Sequence, residues 1–281
     1  AITAIAVSHA VAATPYRVLA DRQIVFRFLR FGWPIMLSAV PLLAIYQGER
    51  MIVGGVLGVE ALAGMTAAFL VTMVPGALAA RGGVALMLPL FAETLGEGGR
   101  VGKRFLPMLD ATAAAAIFYW TGFALLGGTV LPLAFGDRYH DLGLVVAALA
   151  AMWAMRMLQV PAGALLLAAG DTKPLLIAGT LRAAALLPAI VAAHQGADLA
   201  VLASIGVAGE VLSLGYVAAT LRRIDMALAK GCLGRAALLA AAILAVLPFV
   251  DLAGRGWPAI AATALTIAAL ASLAPILTVL L

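Results

Sequence analysis

Five charged side chains interrupt apolar runs that are each long enough to cross a bilayer: Glu49, Arg50, Arg81, Arg156 and Glu210. A charge inside hydrocarbon costs at least ~2.5–3.5 kcal/mol on insertion scales, so such a residue faces protein, a water-filled cavity or a partner of opposite sign. The chemistry that these residue types support is recognition of a charged cargo within a membrane. Arginine presents a planar fork of donors that matches phosphate and carboxylate. Arg50 has Tyr46 four residues before it and Gly54 four residues after it, which puts all three on one helical face. A cation, an aromatic ring and a gap would suit a cavity wall. The alternative is an arginine that snorkels to the interface, since the nearest turn is about 8 residues or ~12 Å away. Glu49 is the neighbour of Arg50, and adjacent residues do not face each other on a helix. Glu49 is therefore expected to meet a cation on another helix, or the interface.

Arg81 lies among Ala79, Ala80, Gly82 and Gly83, small residues that allow close approach by another group. It is either an anchor for an anionic headgroup or an interfacial, topology-setting arginine. Arg156 is the deepest cation, in MWAMRMLQVP, and is read as either a cavity cation or a structural partner for Glu210 or Glu49. Glu210, beside Gly206 and Gly209, is either a carboxylate that couples proton or sodium movement or a helix-packing partner. Asp110 and Arg182 are expected nearer the interface. Pro75–Gly76 is the candidate helix break, because discontinuous helices often mark transport sites.

No catalytic set is evident. His9, His140 and His194 are far apart, Cys232 is the single cysteine, and there is no nucleophile elbow, phosphate-cradling loop or paired carboxylate. Neither an enzymatic activity, a metal site nor a cofactor is expected. The composition agrees: 65% of the residues are hydrophobic and 11% charged, with mean hydropathy +1.12. A soluble domain carries about 25% charged residues. The net charge of +5 does not point to nucleic acid, because the basic residues form short clusters between apolar runs.

These residues must be positioned by membrane-spanning helices. An apolar run of about 12 residues at the start, Ile2 to Ala13, is too short to span; it is read as the tail of a helix in a longer protein. A basic linker follows to residue 30, with Arg17, Arg22, Arg27 and Arg30 against Asp21. Spans are expected at about 31–57, 62–91, 105–126, 142–169, 175–193, 199–221, 236–250 and 258–280. This gives a linker over 1–30, six helices within 31–223 and two more within 224–281. Alternate loops hold twelve basic residues on one side (Arg17, Arg22, Arg27, Arg30, Arg100, Lys103, Arg104, Lys173, Arg222, Arg223, Lys230, Arg235) and two on the other (Arg138, Arg255). The richer side is expected to be cytoplasmic.

Several loop-edge motifs occur in a telling order: MIVGGVLGVEALAGMTAA, LMLPLFAE, LAFGDRYHDLG and LLLAAGDTKP. Together, over about Arg27 to Arg223, they resemble the polysaccharide-export flippases of the multidrug/oligosaccharidyl-lipid/polysaccharide (MOP) superfamily, which includes the lipid II flippases and the MATE drug exporters. The resemblance implies an all-α, polytopic protein with two lobes of six helices around a central cavity. This chain would hold the end of the sixth helix, the second lobe and two extra C-terminal helices. Glu49 stands where the family commonly has Asp, followed by the MIVGGVLG pattern, and the first two spans here would line the cavity. The implied function is flipping a polyprenyl-diphosphate-linked oligosaccharide across a bacterial inner membrane, with membrane lipids around it and a proton or sodium as a possible coupling ion. Arg50, Arg81, Tyr46 and Arg156 are then the candidate substrate contacts, with Glu49 and Glu210 coupling or structural. The runner-up within the fold is a MATE-type drug/cation antiporter or a lipid II flippase. An envelope glycan polymerase or ligase would need a larger outer loop than the one around Leu131 to Asp141, and intramembrane charges argue against a passive scaffold.

The basic asymmetry predicts that the loop holding Lys103 is cytoplasmic. A Lys103→Cys variant should resist a membrane-impermeant thiol reagent added to intact cells and react after permeabilisation. Labelling from outside would overturn the orientation.

Overall fold

A computed structural model of the chain describes residues 22–250. The helices are α1 (Arg22–Leu37), α2 (Ala39–Ile52), α3 (Val59–Gly96), α4 (Val101–Phe135), α5 (Gly143–Ala168), α6 (Lys173–Ala183), α7 (Leu186–His194), α8 (Leu199–Leu221) and α9 (Met226–Val246). A π-helical turn, Val53–Leu57, follows α2, and 3₁₀ segments occupy Asp137–Leu142 and Leu247–Phe249. No strand occurs among the described residues. Among the described residues, seven helical segments are long and apolar enough to cross a membrane: Arg22–Leu57, Val59–Gly96, Val101–Phe135, Asp137–Ala168, Lys173–His194, Leu199–Leu221 and Met226–Phe249. The protein is an all-α, polytopic membrane protein. The expected run at 258–280 and the Ile2–Ala13 run lie outside the described residues.

The order of spans is the expected one, and the boundaries differ for physical reasons. Residues 22–30 belong to the same helix as the first span and form no separate linker. α4 runs from Val101 to Phe135, well beyond 105–126, with both Pro107 and Pro132 inside it. Most of the basic stretch after Leu221 is also helical. Only residues 222–225 form the turn, and Asp225 caps α9 by accepting from the Ala227 backbone N–H at 2.8 Å. Glycine takes the left-handed conformation at three of the short connections. At Gly98, Gly170 and Gly196, with φ +66°, +75° and +82°, the next residue's N–H donates to the carbonyl five residues back. That bond satisfies carbonyls that the helix end would otherwise leave orphaned.

α5 is the central helix, buried along nearly its whole length and packed on by α3, α4 and α8. Glycines permit this. A Cβ on Gly76 or Gly83 of α3 would lie 2.9 Å from Trp153 and 2.8 Å from Val160, and one on Gly127 of α4 2.8 Å from Val146. Small residues let backbones approach where lipid supplies no hydrophobic drive between helices. Two interhelical hydrogen bonds add to this packing. Trp120 Nε1 donates to the Ala147 carbonyl at 3.0 Å, and the Tyr119 hydroxyl to the Thr72 carbonyl at 2.5 Å. The second lies in the turn before Pro75, and α3 passes through Pro75 as an unbroken helix. The Tyr119 bond reaches the carbonyl next to Val71's, which is the one that Pro75 leaves without a helical donor.

The breaks fall elsewhere. Pro188 has no N–H to give to the Ala184 carbonyl, and its ring excludes the α-helical path of that carbonyl. Leu187 and Ala185 close the chain instead by donating three residues back, to Ala184 and Arg182, at 3.1 and 3.3 Å. The fifth span is thus two short helices, α6 and α7. Pro41 acts likewise on the first span, where α1 ends at Leu37 and the Ser38 hydroxyl donates to the Ile35 carbonyl at 2.6 Å. α2 and α3 meet near the π turn, where Tyr46 and Arg50 pack on Phe69, and have few contacts beyond it. The first two spans therefore splay, leaving space between them.

The α6–α7 break rests on Gly209 of α8. A Cβ there would lie 2.8 Å from both the Arg182 carbonyl oxygen and the Ala185 Cβ. Alanine gains up to ~1 kcal/mol of helix propensity over glycine, but overpacking against backbone that cannot yield costs ~1–3 kcal/mol. Gly209→Ala should lower the thermal midpoint in detergent. Gly215→Ala, in the same helix and facing open space, should leave it unchanged or raise it. A neutral Gly209→Ala would contradict the packing described.

Candidate functional site

The breaks and the splay bring charged side chains from four helices together. Glu210 of α8 is fully buried. One carboxylate oxygen accepts from Arg156 Nε of α5 at 2.5 Å; the other accepts from Arg182 Nε of α6 at 2.6 Å and from Gln159 Nε2 at 3.4 Å. Arg182 also donates to the Gln159 side-chain oxygen (3.2 Å) and the Ser213 hydroxyl (3.1 Å), and that hydroxyl donates to the same Gln159 oxygen at 3.0 Å. One carboxylate thus serves two guanidiniums, whose side chains are 10% and 17% exposed. Glu49 of α2 lies against Gly206 of α8, within electrostatic range of Arg156, Glu210 and Arg50.

Local structure explains the placement. Arg182 occupies the last turn of α6, where a cation complements the helix dipole. Gln159 and Arg156 are three residues apart on α5, and Glu210 and Ser213 three apart on α8, so each pair shares a face. Arg156 also lies over the rings of Trp153, at 4.7 Å, and Tyr46, at 5.7 Å. A cation over an aromatic face is worth ~0.5–2 kcal/mol, more when desolvated.

The arginines border a cavity of about 360 Å³. Its wall includes Ser38 and Tyr46 from the first span, Ala80 and Val84 from α3, Trp153, Arg156 and Gln159 from α5 and Arg182 from α6. Among the described residues, the lining holds two arginines and no carboxylate; Glu210 lies behind the guanidiniums. The cavity reaches Leu167 and Leu175, near the helix ends that lead into the turn before Lys173.

Of the candidate residues read from the sequence, Tyr46, Arg156 and Glu210 share this site, and Glu49 is beside it. Arg50 is separate: its guanidinium covers the Phe69 ring at 4.6 Å and lines another groove with Gln47 and Thr66. Arg81 is exposed, next in sequence to the cavity-lining Ala80 but not itself in the wall. Two expectations need correction. Arg182 is no interfacial residue but half of the buried charge cluster, and Pro75–Gly76 is no break but the close seat of Trp153. Asp110 pairs with Arg235 of α9 at 2.5 Å. Arg182 was findable, since it lies nine residues past Lys173, or ~14 Å along a helix and near the middle of a ~30 Å core. Gln159 and Ser213 carried no signal apart from their spacing to Arg156 and Glu210.

No curated protein and no solved structure matches the chain. A family model described as polysaccharide biosynthesis protein matches residues 1–143, just over half of the 281. The match takes in α1 to α4 and ends at the first residue of α5. The chain, a helical multi-pass membrane protein with a buried charge cluster at the edge of an arginine-lined cavity, belongs to the polysaccharide biosynthesis protein family, which is of the MOP type.

Proposed function

We propose that the chain acts as a transporter and not as an enzyme, flipping a polyprenyl-diphosphate-linked oligosaccharide from the cytoplasmic to the outer leaflet of a bacterial inner membrane. The family supports a lipid-linked saccharide as cargo. The observation that carries the reading is the pair of arginines, Arg156 and Arg182, in a cavity wall that has no carboxylate among the described residues. A diphosphate placed in a low-dielectric passage loses hydration worth several kcal/mol per charge and must recover it from fixed cations. Arg156 contributes a guanidinium already oriented by Glu210, so little rotamer freedom remains to be lost on binding. The saccharide would ride in the hydrated part of the cavity, the prenyl chain between the splayed first spans.

A cationic drug would call for an acidic wall, so the MATE-type antiporter fits this lining less well. A lipid II flippase would share the diphosphate and differs only in the sugar. In this reading Arg81, exposed beside the wall, meets the cargo at the cavity rim, and Glu49 is the candidate carboxylate for coupling to a proton or sodium. Glu210 is assigned to holding the arginines.

Losing a hydrogen bond to a charged group costs ~1.5–3 kcal/mol, roughly a 10- to 100-fold effect. In complementation of glycan export at matched membrane abundance, Arg156→Lys should retain part of the activity and Arg156→Gln should lose about that factor. Arg81→Lys, Ala and Glu should decline in that order with smaller amplitude. Export by Arg156→Gln equal to wild type would remove the anion-site reading.

A further inference from the structure

Among the described residues, two buried side-chain nitrogens have no hydrogen-bond partner: Nη2 of Arg156 and Nε of Arg50. They belong to the guanidiniums at the two ends of one run of aromatic rings. Arg156 covers Trp153 and Tyr46. Tyr46 stacks with Trp153 at 6.5 Å and 16° and meets Phe69 edge-on at 5.9 Å and 74°. Arg50 covers Phe69. A buried donor without a partner costs ~1–3 kcal/mol, more when charged, and both such donors fall on this one array.

The two guanidiniums line different spaces. Arg156 lines the cavity that reaches Leu167 and Leu175, near the turn before Lys173. Arg50 lines a groove of about 490 Å³ with Gln47, Gly54, Gly55, Leu62 and Thr66, toward the opposite end at Gly58. That groove runs along the π-helical turn Val53–Leu57, and such turns are frequent at functional sites. Arg50 supplies a charge, and Gln47 and Thr66 supply further polar groups.

We propose that the Arg50 groove is a second anion-binding station, for a phosphate or diphosphate group, separated from the Arg156 cavity by the Trp153–Tyr46–Phe69 stack. The station deepens the reading given under the proposed function and rests on it. The cargo's anionic group is held by Arg156 on one side and by Arg50 on the other, with the rings as the apolar barrier between. Each arginine is pre-oriented by the ring beneath it, which leaves the edge donors of its fork for the ligand.

The test is calorimetric titration of inorganic diphosphate into the full chain in phosphatidylcholine nanodiscs. Wild type should show two binding events. Arg50→Gln should lose one and leave the other within about twofold; Arg156→Gln should lose the other. Arg50→Lys, which keeps charge and most of the packing, should weaken the first event about tenfold because the fork is lost. One event that vanishes in Arg156→Gln and is untouched in both Arg50 variants would overturn the second station while leaving the cargo reading standing. No event in wild type would overturn both. Repeating the titration in phosphatidylglycerol-containing nanodiscs separates the sources: an Arg50 event that persists supports a cargo station, and one abolished there makes the groove a phospholipid headgroup site and overturns the station.

Discussion

A carboxylate with no exposure inside a membrane protein must be compensated, and much of this molecule's interior follows from how Glu210 is. Removing an ion from water costs several kcal/mol even after relaxation, and one opposite charge recovers that only with good geometry and additional hydrogen bonds. Glu210 has two guanidiniums and an amide. To supply them, α5 and α6 must both reach α8, and α6 must end where its last turn can turn Arg182 inward. Pro188 provides that ending, and Gly209 removes the Cβ that would keep the break at a distance. The interaction is therefore a constraint on three helices at once, not a local pair.

The same constraint shapes the cavity. Arg156 is held by Glu210 on one side and lies over Trp153 and Tyr46 on the other, so its remaining donors are fixed in direction. Trp153 can occupy that position because Gly76 of α3 has no side chain. α3 and α2 are thus held at different neighbours, α3 on α5 and α2 on α6, and the space between them is a consequence of that division. A cationic wall, an aromatic floor and an opening between splayed spans all descend from one buried carboxylate and the glycines around it.

How much of this was legible in the sequence depends on the kind of signal. Spans were legible because hydrocarbon thickness imposes a length that apolar runs display directly, and the described helices keep the expected order. Their ends were not, because basic residues such as Lys230 and Arg235 mark an interface by charge while remaining helical. Charges inside spans were legible as residues that needed partners, and Glu210, one of the two carboxylates offered for Arg156, is paired with it. The identity of the second partner, Arg182, depended on a proline six residues later shortening the helix, a three-dimensional consequence of a local rule. Pro75 looked equally disruptive in sequence, yet α3 continues through it with the Tyr119 hydroxyl bonded nearby. Sequence indicates where a backbone bond is lost, and packing decides whether the helix breaks there or continues.

Glu210 organises the two arginines and through them the broken fifth span. The most direct test is equilibrium unfolding in detergent of Glu210→Gln, Arg182→Met and the double variant Glu210→Gln/Arg182→Met, each against wild type. Breaking a buried pair by removing one partner costs ~3–5 kcal/mol, because a charge is left uncompensated. Glu210→Gln should lose about that much, and removing Arg182 as well should recover part of the loss, since one of the stranded cations is gone. A Glu210→Gln variant as stable as wild type, or a double variant whose loss is the simple sum of the two single losses, would show that the three helices are held together by other contacts.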